Sequence, residues 1–380
     1  MAIATIYRRC RRCVAAALVA CVLATSASGA DLAAALERLA GAKSEPAGQS
    51  QLAEAWEQVA AASVAQLPSV LTAMGDATPV GENWLRTAAD AIAEREYRQS
   101  ATLPVELLEE FVTDRQQPPR ARRVAYEWLT QIDETAADRL LPAMLDDPSL
   151  DLRYDAVAAV IIAAEAAGED AEKTRLYQQA FDASRNVAQI QQLADALRDL
   201  GATIDLAQHM GFVRQWQLIG PFDNADLAGF QTEYPPEREI DLTKPVEGRG
   251  GAEVRWKGYV STDKLGAVNL NEAIGNEKLV VAYALAKFTS PRDQRLEVRL
   301  GSTNAVKLWL NGREAAAYEV YHSGSEIDQY VVALDAQAGE TNTILVKACQ
   351  NAKAQPWEQD WQFQLRVTDP LGGAAEIEVE

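Results

Sequence analysis

The side chains that most often carry catalysis are scarce in this chain. Its 380 residues include two histidines and four cysteines. His209 and His322 lie far apart and in stretches of different texture, so they give no zinc-type spacing. Cys10, Cys13 and Cys21 crowd the N-terminus. Cys349 follows Ile344, Val346 and Ala348 in a strand-like run, which reads as packing rather than as a nucleophile. Carboxylates pair at Asp146 with Asp147 and at Glu358 with Asp360. A glycosidase needs two carboxyls facing each other across a cleft, and neighbouring loop acids in so acidic a chain read as solvated surface. Asp223, Asn224 and Asp226 offer three oxygens in one turn, short of the roughly six to eight ligands calcium takes. No Gly-x-Ser-x-Gly elbow, phosphate loop or dinucleotide fingerprint is found. The sequence therefore points to no catalytic residue, no metal site and no cofactor.

What remains is recognition chemistry. Sugars present a flat face of C–H groups to aromatic rings and hydroxyls to polar atoms. Tyr318, Tyr321 and His322 follow a hairpin signal, and Trp357 precedes the last strand with Glu358 and Asp360 beside it as acceptors. The ligand-binding residues expected are Tyr321, His322, Trp357, Glu358 and Asp360. The competing reading for each ring is core or loop packing, because aromatics dominate cores. Trp309 and Trp361 sit in strand patterns and are expected to pack.

Charge and the N-terminus set the context. The formal net charge is −19. The first thirty residues hold Arg8, Arg9, Arg11 and Arg12 and no acid, so residues 31–380 carry 32 basic against 55 acidic side chains. Such a surface repels phosphate backbones and anionic membranes, which argues against nucleic-acid binding. The four arginines precede an apolar run from Val14 to Ala24 and small residues at Ser28-Gly29-Ala30. That succession reads as a signal peptide over residues 1–30, with Asp31 first in the mature chain. The apolar run is too short to span a bilayer, which takes about 20 apolar residues. Leu18-Val19-Ala20-Cys21 offers an alternative, a lipoprotein anchored at Cys21. Either route predicts export to the periplasm or beyond, with no transmembrane segment in the mature chain.

From Asp31 to Met210 helix formers dominate and apolar residues recur at three- and four-residue steps, as in Leu32, Leu36 and Leu39. A pattern repeats within this region. Leu67-Pro68, Leu103-Pro104 and Leu141-Pro142 each open a short helix. Each is followed by a second helix with a shared signature: Arg86, Ala89 and Ile92; Arg122, Ala125 and Trp128; Arg153, Ala156 and Ala159. Such pairs cannot bury their own apolar faces, so neighbours are expected to stack. The region resembles HEAT-type helical repeats, best over Leu140 to Val160, and that resemblance implies a scaffold or binding surface for a protein partner.

Near Gly211 the texture changes to period-two alternation rich in Trp, Tyr, Val, Gly and Pro. A first strand is expected before Gly220-Pro221, then a loop-rich stretch to Gly251. Leu279 to Phe288 suits a strand buried on both faces. Leu296, Val298 and Leu300 alternate with charges. Val306, Leu308 and Leu310 run into Asn311-Gly312, a strong hairpin signal. Further strands are expected at 329–334, 343–349 and 361–367. The "VKLWLNGREA", "AGETNTILVK" and "WQFQLRV" segments resemble the galactose-binding-like jelly-roll over roughly Phe212 to Asp369. Together the two resemblances look most like secreted multidomain proteins of planctomycete-like bacteria.

The expected architecture is a helical-repeat solenoid over 31–210 followed by an antiparallel β-sandwich over 211–380. The expected function is that of an exported, non-enzymatic binding or scaffold protein, its sandwich taking carbohydrate and its solenoid a protein. The alternatives are a purely structural interaction protein with no small ligand, and an accessory enzyme of polysaccharide breakdown.

Overall fold

The computed structural model describes residues 29–44, 48–353, 355 and 359–380. The signal-peptide and lipidation readings therefore fall outside the described residues. The chain is helical first and antiparallel β afterwards, as its periodicities dictate. It divides into two compact units, with the boundary between Ala136 and Ala137.

The first unit holds α1 (Gly29–Ala40), α2 (Gln49–Ala60), α3 (Leu67–Thr72), α4 (Pro79–Ser100), α5 (Val105–Thr113) and α6 (Pro119–Ile132). Helix α3 packs on α4 and α5 on α6, and α4 also touches α6, so the expected pairs form and stack within this unit. Proline opens α3, α4 and α6, where a missing N–H costs no intrahelical bond. Thr78 caps α4 by accepting from the Gly81 N–H at 3.0 Å. Trp128 on α6 donates its indole N–H to Asp90 on α4 at 2.8 Å. The shared alanines Ala89 and Ala125 are buried, which lets backbones approach closely.

The repeated arginines have a purpose the spacing does not reveal. Arg122 is buried and donates Nε to the Val112 carbonyl near the end of α5, at 2.8 Å. The guanidinium thus satisfies a carbonyl that the helix leaves without an intrahelical partner and sits at the negative end of its dipole. Arg95 does the same for the Ala60 and Ala62 carbonyls at the end of α2. Arg86 differs: it is exposed and pairs with Glu127 at 2.6 Å.

The boundary falls at the start of α7 (Ala136–Leu140), and the second unit goes on with α8 (Leu150–Ala166), α9 (Asp170–Ala183), α10 (Val187–Asp199) and α11 (Leu206–Met210). Leu141-Pro142 forms only a 3-10 turn here, because Pro142 cannot continue a helix from α7. Arg153 on α8 repeats the capping role by donating Nε to the Ala183 carbonyl of α9 at 2.6 Å. Ala156, the counterpart of Ala89 and Ala125, is buried as they are, whereas Ala159, at the position of Ile92 and Trp128, faces solvent.

The strands are β1 (Gln215–Asp223), β2 (Val246–Glu247), β3 (Glu253–Val254), β4 (Lys257–Val260), β5 (Val268–Asn269), β6 (Val280–Thr289), β7 (Gln294–Ser302), β8 (Ala305–Leu310), β9 (Arg313–Tyr318), β10 (Tyr330–Ala336), β11 (Thr341–Gln350), β12 (Gln362–Thr368) and β13 (Glu378–Val379). Two four-residue helices, α12 (Pro235–Arg238) and α13 (Leu270–Ala273), lie among them. One sheet runs β4-β1-β6-β11-β8-β9 with β13 beside β6, and the other runs β10-β7-β12-β5. Between them lies a core built from both sheets, with Leu218, Ala284, Leu308 and Val346 facing Leu296, Val298, Phe363 and Leu365. Asn311 and Gly312 both take positive φ, which matches the type I′ turn that suits strand twist. Strand β1 does not end at Gly220-Pro221. It continues to Asp223 through a register shift between Ile219 and Phe222, an irregularity that accommodates a residue with no N–H to give.

The larger sheet has a second buried face. Ile219, Phe222, Val281, Tyr283, Leu285, Trp309 and Leu345 point outward from it and are covered by Phe230, Tyr234, Val254 and Trp256 of segment 224–256. This is why β6 is buried on both faces.

The helix-to-strand change falls between Met210 and Gln215, where the texture changes, but the compact division lies elsewhere. Phe181, Ile190, Leu193, Leu206 and Met210 share one core with Phe212, and Leu265 and Ile327 from sandwich loops pack against it. The Val213 N–H donates to Leu365 O, and the Val367 N–H to Gly211 O, each at 2.9 Å. Gly211 has φ 79, and a Cβ there would lie 2.6 Å from the Val367 carbonyl. Only glycine both ends α11 and lets the chain run against β12.

Candidate functional site

One end of the sandwich gathers the turn after β7, the segment after β9, and residues 351–353 and 359–361 between β11 and β12. A buried polar network fixes it. Asn304 Nδ2 donates to Gln350 Oε1 at 2.9 Å and to the Asp360 carbonyl at 3.2 Å. Its Oδ1 accepts from the Gln362 N–H at 3.1 Å. Ser302 Oγ donates to Gln362 O and accepts from the Asn304 N–H, both at 3.0 Å. Gln350 Oε1 also accepts from the Asn351 N–H at 2.9 Å. The side chains of Ser302, Asn304, Gln350 and Asn351 are buried. A buried network with its partners in place holds the backbone rigidly. The sequence signal for it was the "STN" turn between two strands.

The expected ligand residues fare differently. Asp360 stands at this end with its side chain exposed, and its carbonyl is the acceptor for Asn304, Gln350 and Thr303. His322 is half-buried; its N–H donates to the Thr303 carbonyl at 2.9 Å, and its Nε2 lies 2.9 Å from the Tyr330 hydroxyl. Tyr330 stacks on Tyr318 with ring centroids 3.7 Å apart. These two rings close the side where β9 and β10 are the edges of their sheets, a contact no sequence spacing announced. Tyr321 points the other way, into the outer core beside Trp309 and Cys349, and burial pushes its hydroxyl up to about 12. Adjacent residues of an extended segment alternate faces, so Tyr321 and His322 share no surface. Trp357 and Glu358 lie outside the described residues.

The remaining candidates for chemistry are engaged in structure. Cys349 is buried, and desolvation pushes its thiol up to about 12, which leaves it without thiolate at neutral pH. Lys347 is fully buried on the outer face of β11. Its Nζ donates to Glu237 Oε1 and Thr232 O at 2.7 Å and to Phe230 O at 3.2 Å. Tyr283 donates its hydroxyl to the same Glu237 oxygen. Arg366 is held by Asp328 and donates to Met210 O at 3.3 Å and Gly372 O at 3.2 Å, while Arg299 joins Asp328 at 2.7 Å. Asp147 is buried and accepts from the Ser149 N–H at 2.8 Å in the turn before α8. His209 stacks on Phe181 at 3.7 Å, and burial lowers its basicity. Asn224 is buried and donates to Gln350 O at 2.8 Å. Among the described residues, no group of three His, Cys, Asp or Glu side chains is placed to hold a metal ion. Trp309 and Trp361 pack in the cores, as their strand positions imply.

Two open grooves of about 360 Å³ each lie elsewhere on the second unit. One is bordered by Phe212, Val367 and Ile377, the other by Gln217, Leu242 and Val260. Neither is lined by Tyr321, His322 or Asp360. No described helix is long and apolar enough to cross a membrane.

No family model matches the chain, and no curated protein matches its sequence. Among solved structures it is similar in part to a beta-glucosidase from Kluyveromyces marxianus in complex with glucose, at 13% identity and TM-score 0.20, over 24% of this chain and 10% of that one. A beta-glucuronidase from Ruminococcus gnavus in complex with uronic isofagomine gives 15% identity and TM-score 0.26, over 42% and 28%. An anti-sigma factor domain-containing protein gives 13% identity and TM-score 0.24, over 32% and 39%. The chain spans less than half the length of each, and likenesses of this strength carry no argument about activity.

Proposed function

We propose that this chain is an exported, non-enzymatic binding or scaffold protein. Its sandwich end at 302–304, 319–329, 351–353 and 359–361 recognises a carbohydrate, and its helices contact a protein. The observation that carries the reading is how the reactive side chains are used. Lys347, Glu237, Arg366, Asp328, Asn304 and Gln350 are bonded to one another or to backbone, which leaves recognition by the loops around Asp360. A rigid end with an exposed carboxylate and half-buried rings is a preorganised surface, and preorganisation lowers the entropic cost of binding. The likeness of the helical pairs to HEAT-type repeats and of the strands to the galactose-binding-like jelly-roll supports the same reading. The basic, apolar and small-residue succession before Asp31 supports export.

The alternative of a purely structural sandwich draws on one observation: no aromatic ring among the described sandwich residues is exposed. A glycan array probed with the full chain separates the two. We expect a restricted set of glycans to bind, and Trp357→Ala and Asp360→Asn to weaken binding at least ten-fold with an unchanged melting temperature. An array with no glycan bound refutes the carbohydrate reading and leaves the structural one.

A further inference from the structure

Helix α8 is apolar on more than the face it buries. Leu152, Ala156, Val157, Ile161 and Ala164 point into the second unit, and its single basic residue, Arg153, is buried with them to cap α9. A surface helix ordinarily turns charged residues to solvent. Here Leu150, Tyr154 and Ile162 are 46%, 45% and 66% exposed. They stand at i, i+4 and i+12 with Ala158 between, a stripe about 18 Å long at the helical rise of about 1.5 Å per residue. Scattered exposed hydrophobics are ordinary, whereas a row of them on one helix marks a contact surface. Asp151 and Glu165, both exposed, fall on the same side of the helix by its 3.6-residue period. The solvent face of α8 therefore combines apolar anchors with carboxylates and has no basic residue of its own.

That charge decides between occupants. A second copy of this chain carries the same net charge of −19, so like charges oppose self-association through this face. We infer that the exposed face of α8 is a docking surface for a basic amphipathic helix of a protein partner, its apolar side on Leu150, Tyr154 and Ile162 and its Lys or Arg residues on the carboxylates. Helix-on-helix recognition of this kind is read through anchors at helical spacing. The inference rests on the protein-contact half of the proposed function and is independent of the glycan half.

The test uses the full chain and two labelled 18-residue peptides with leucine on one helical face and either lysine or glutamate on the other. Binding is read by fluorescence anisotropy. We expect the lysine peptide to bind and the glutamate peptide to bind at least ten-fold more weakly. Tyr154→Ser with Ile162→Ser, both exposed and so harmless to folding, weakens the lysine peptide at least ten-fold with an unchanged circular-dichroism spectrum. Asp151→Lys with Glu165→Lys does the same through charge. Equal binding by both peptides, or no change on substituting Tyr154 and Ile162, overturns the inference. So does sedimentation showing a dimer that Ile162→Ser dissolves, which assigns the face to a second copy. A chain that binds glycans but not the lysine peptide loses this inference alone.

Discussion

Replacing Lys347 with methionine tests whether one buried ammonium holds segment 224–256 on the outer face of the larger sheet. The substitution keeps the aliphatic stem and the volume while removing the charge. In the native protein Nζ gives one hydrogen bond each to Glu237 Oε1, Thr232 O and Phe230 O, so all three of its protons are placed. The ammonium also lies 5.4 Å and 5.7 Å from the ring centres of Tyr234 and Tyr283. After the change, Glu237, whose side chain is 11% exposed, keeps only the Tyr283 hydroxyl. Removing one partner of a buried ion pair costs about 3–5 kcal/mol, because the other charge stays buried without compensation. We expect Lys347→Met to cost about that much. Adding Glu237→Leu removes the stranded carboxylate and should recover about 2 kcal/mol, the coupling expected of groups in direct contact. The assay is urea denaturation of the full chain, followed by tryptophan fluorescence and far-ultraviolet dichroism. The two units can unfold separately, so the transition carrying the β signal is the one fitted. Trypsin should cut the loosened segment at Arg249 or Arg255 in the single variant. A loss below about 0.5 kcal/mol, within the range of an ordinary surface change, would refute the clamp. A double variant no more stable than the single one would refute it too.

Two further outcomes are expected of the same structure. A fragment of residues 137–380 should be soluble and unfold cooperatively, whereas one of 211–380 should aggregate or bind a hydrophobic dye, because Phe212, Leu265 and Ile327 lose the helices they pack on; equal solubility and dichroism of the two would return the boundary to 210/211. Burial alone would raise the Asp328 carboxyl, but the hydrogen bonds and charges of Arg366 and Arg299 outweigh it and hold it below the usual value. Its stabilising contribution is therefore complete above the unfolded value near about 4 and is lost as pH falls through the folded one. Asp328→Asn should accordingly lose less stability between about pH 5 and pH 3 than the parent does, measured by urea titration at each pH; equal losses would remove Asp328 from the acid response.

Local pattern alone determined the elements of this protein. Alternation at Leu296, Val298 and Leu300, the positive-φ preference of Asn311-Gly312, and prolines placed to open helices specify strands, a hairpin and helix starts, since each depends on the chain a few residues either way. Even the repeated Arg and Ala positions were visible, because helices that pack alike repeat alike. What only the tertiary structure decided were the partners. Arg122 and Arg153 cap the ends of neighbouring helices, and Lys347 reaches Glu237, more than a hundred residues away in sequence. Tyr321 and His322, adjacent in the chain, part to opposite sides, and Tyr330 rather than Tyr321 becomes the neighbour of His322. Helices α8 to α11 share a core with Phe212, although the composition changes sharply at that point. A side chain's fate depends on which distant surface covers it, and coverage is set when sheets, helices and connecting segments pack together. The sequence codes that packing only through the combined fit of many residues.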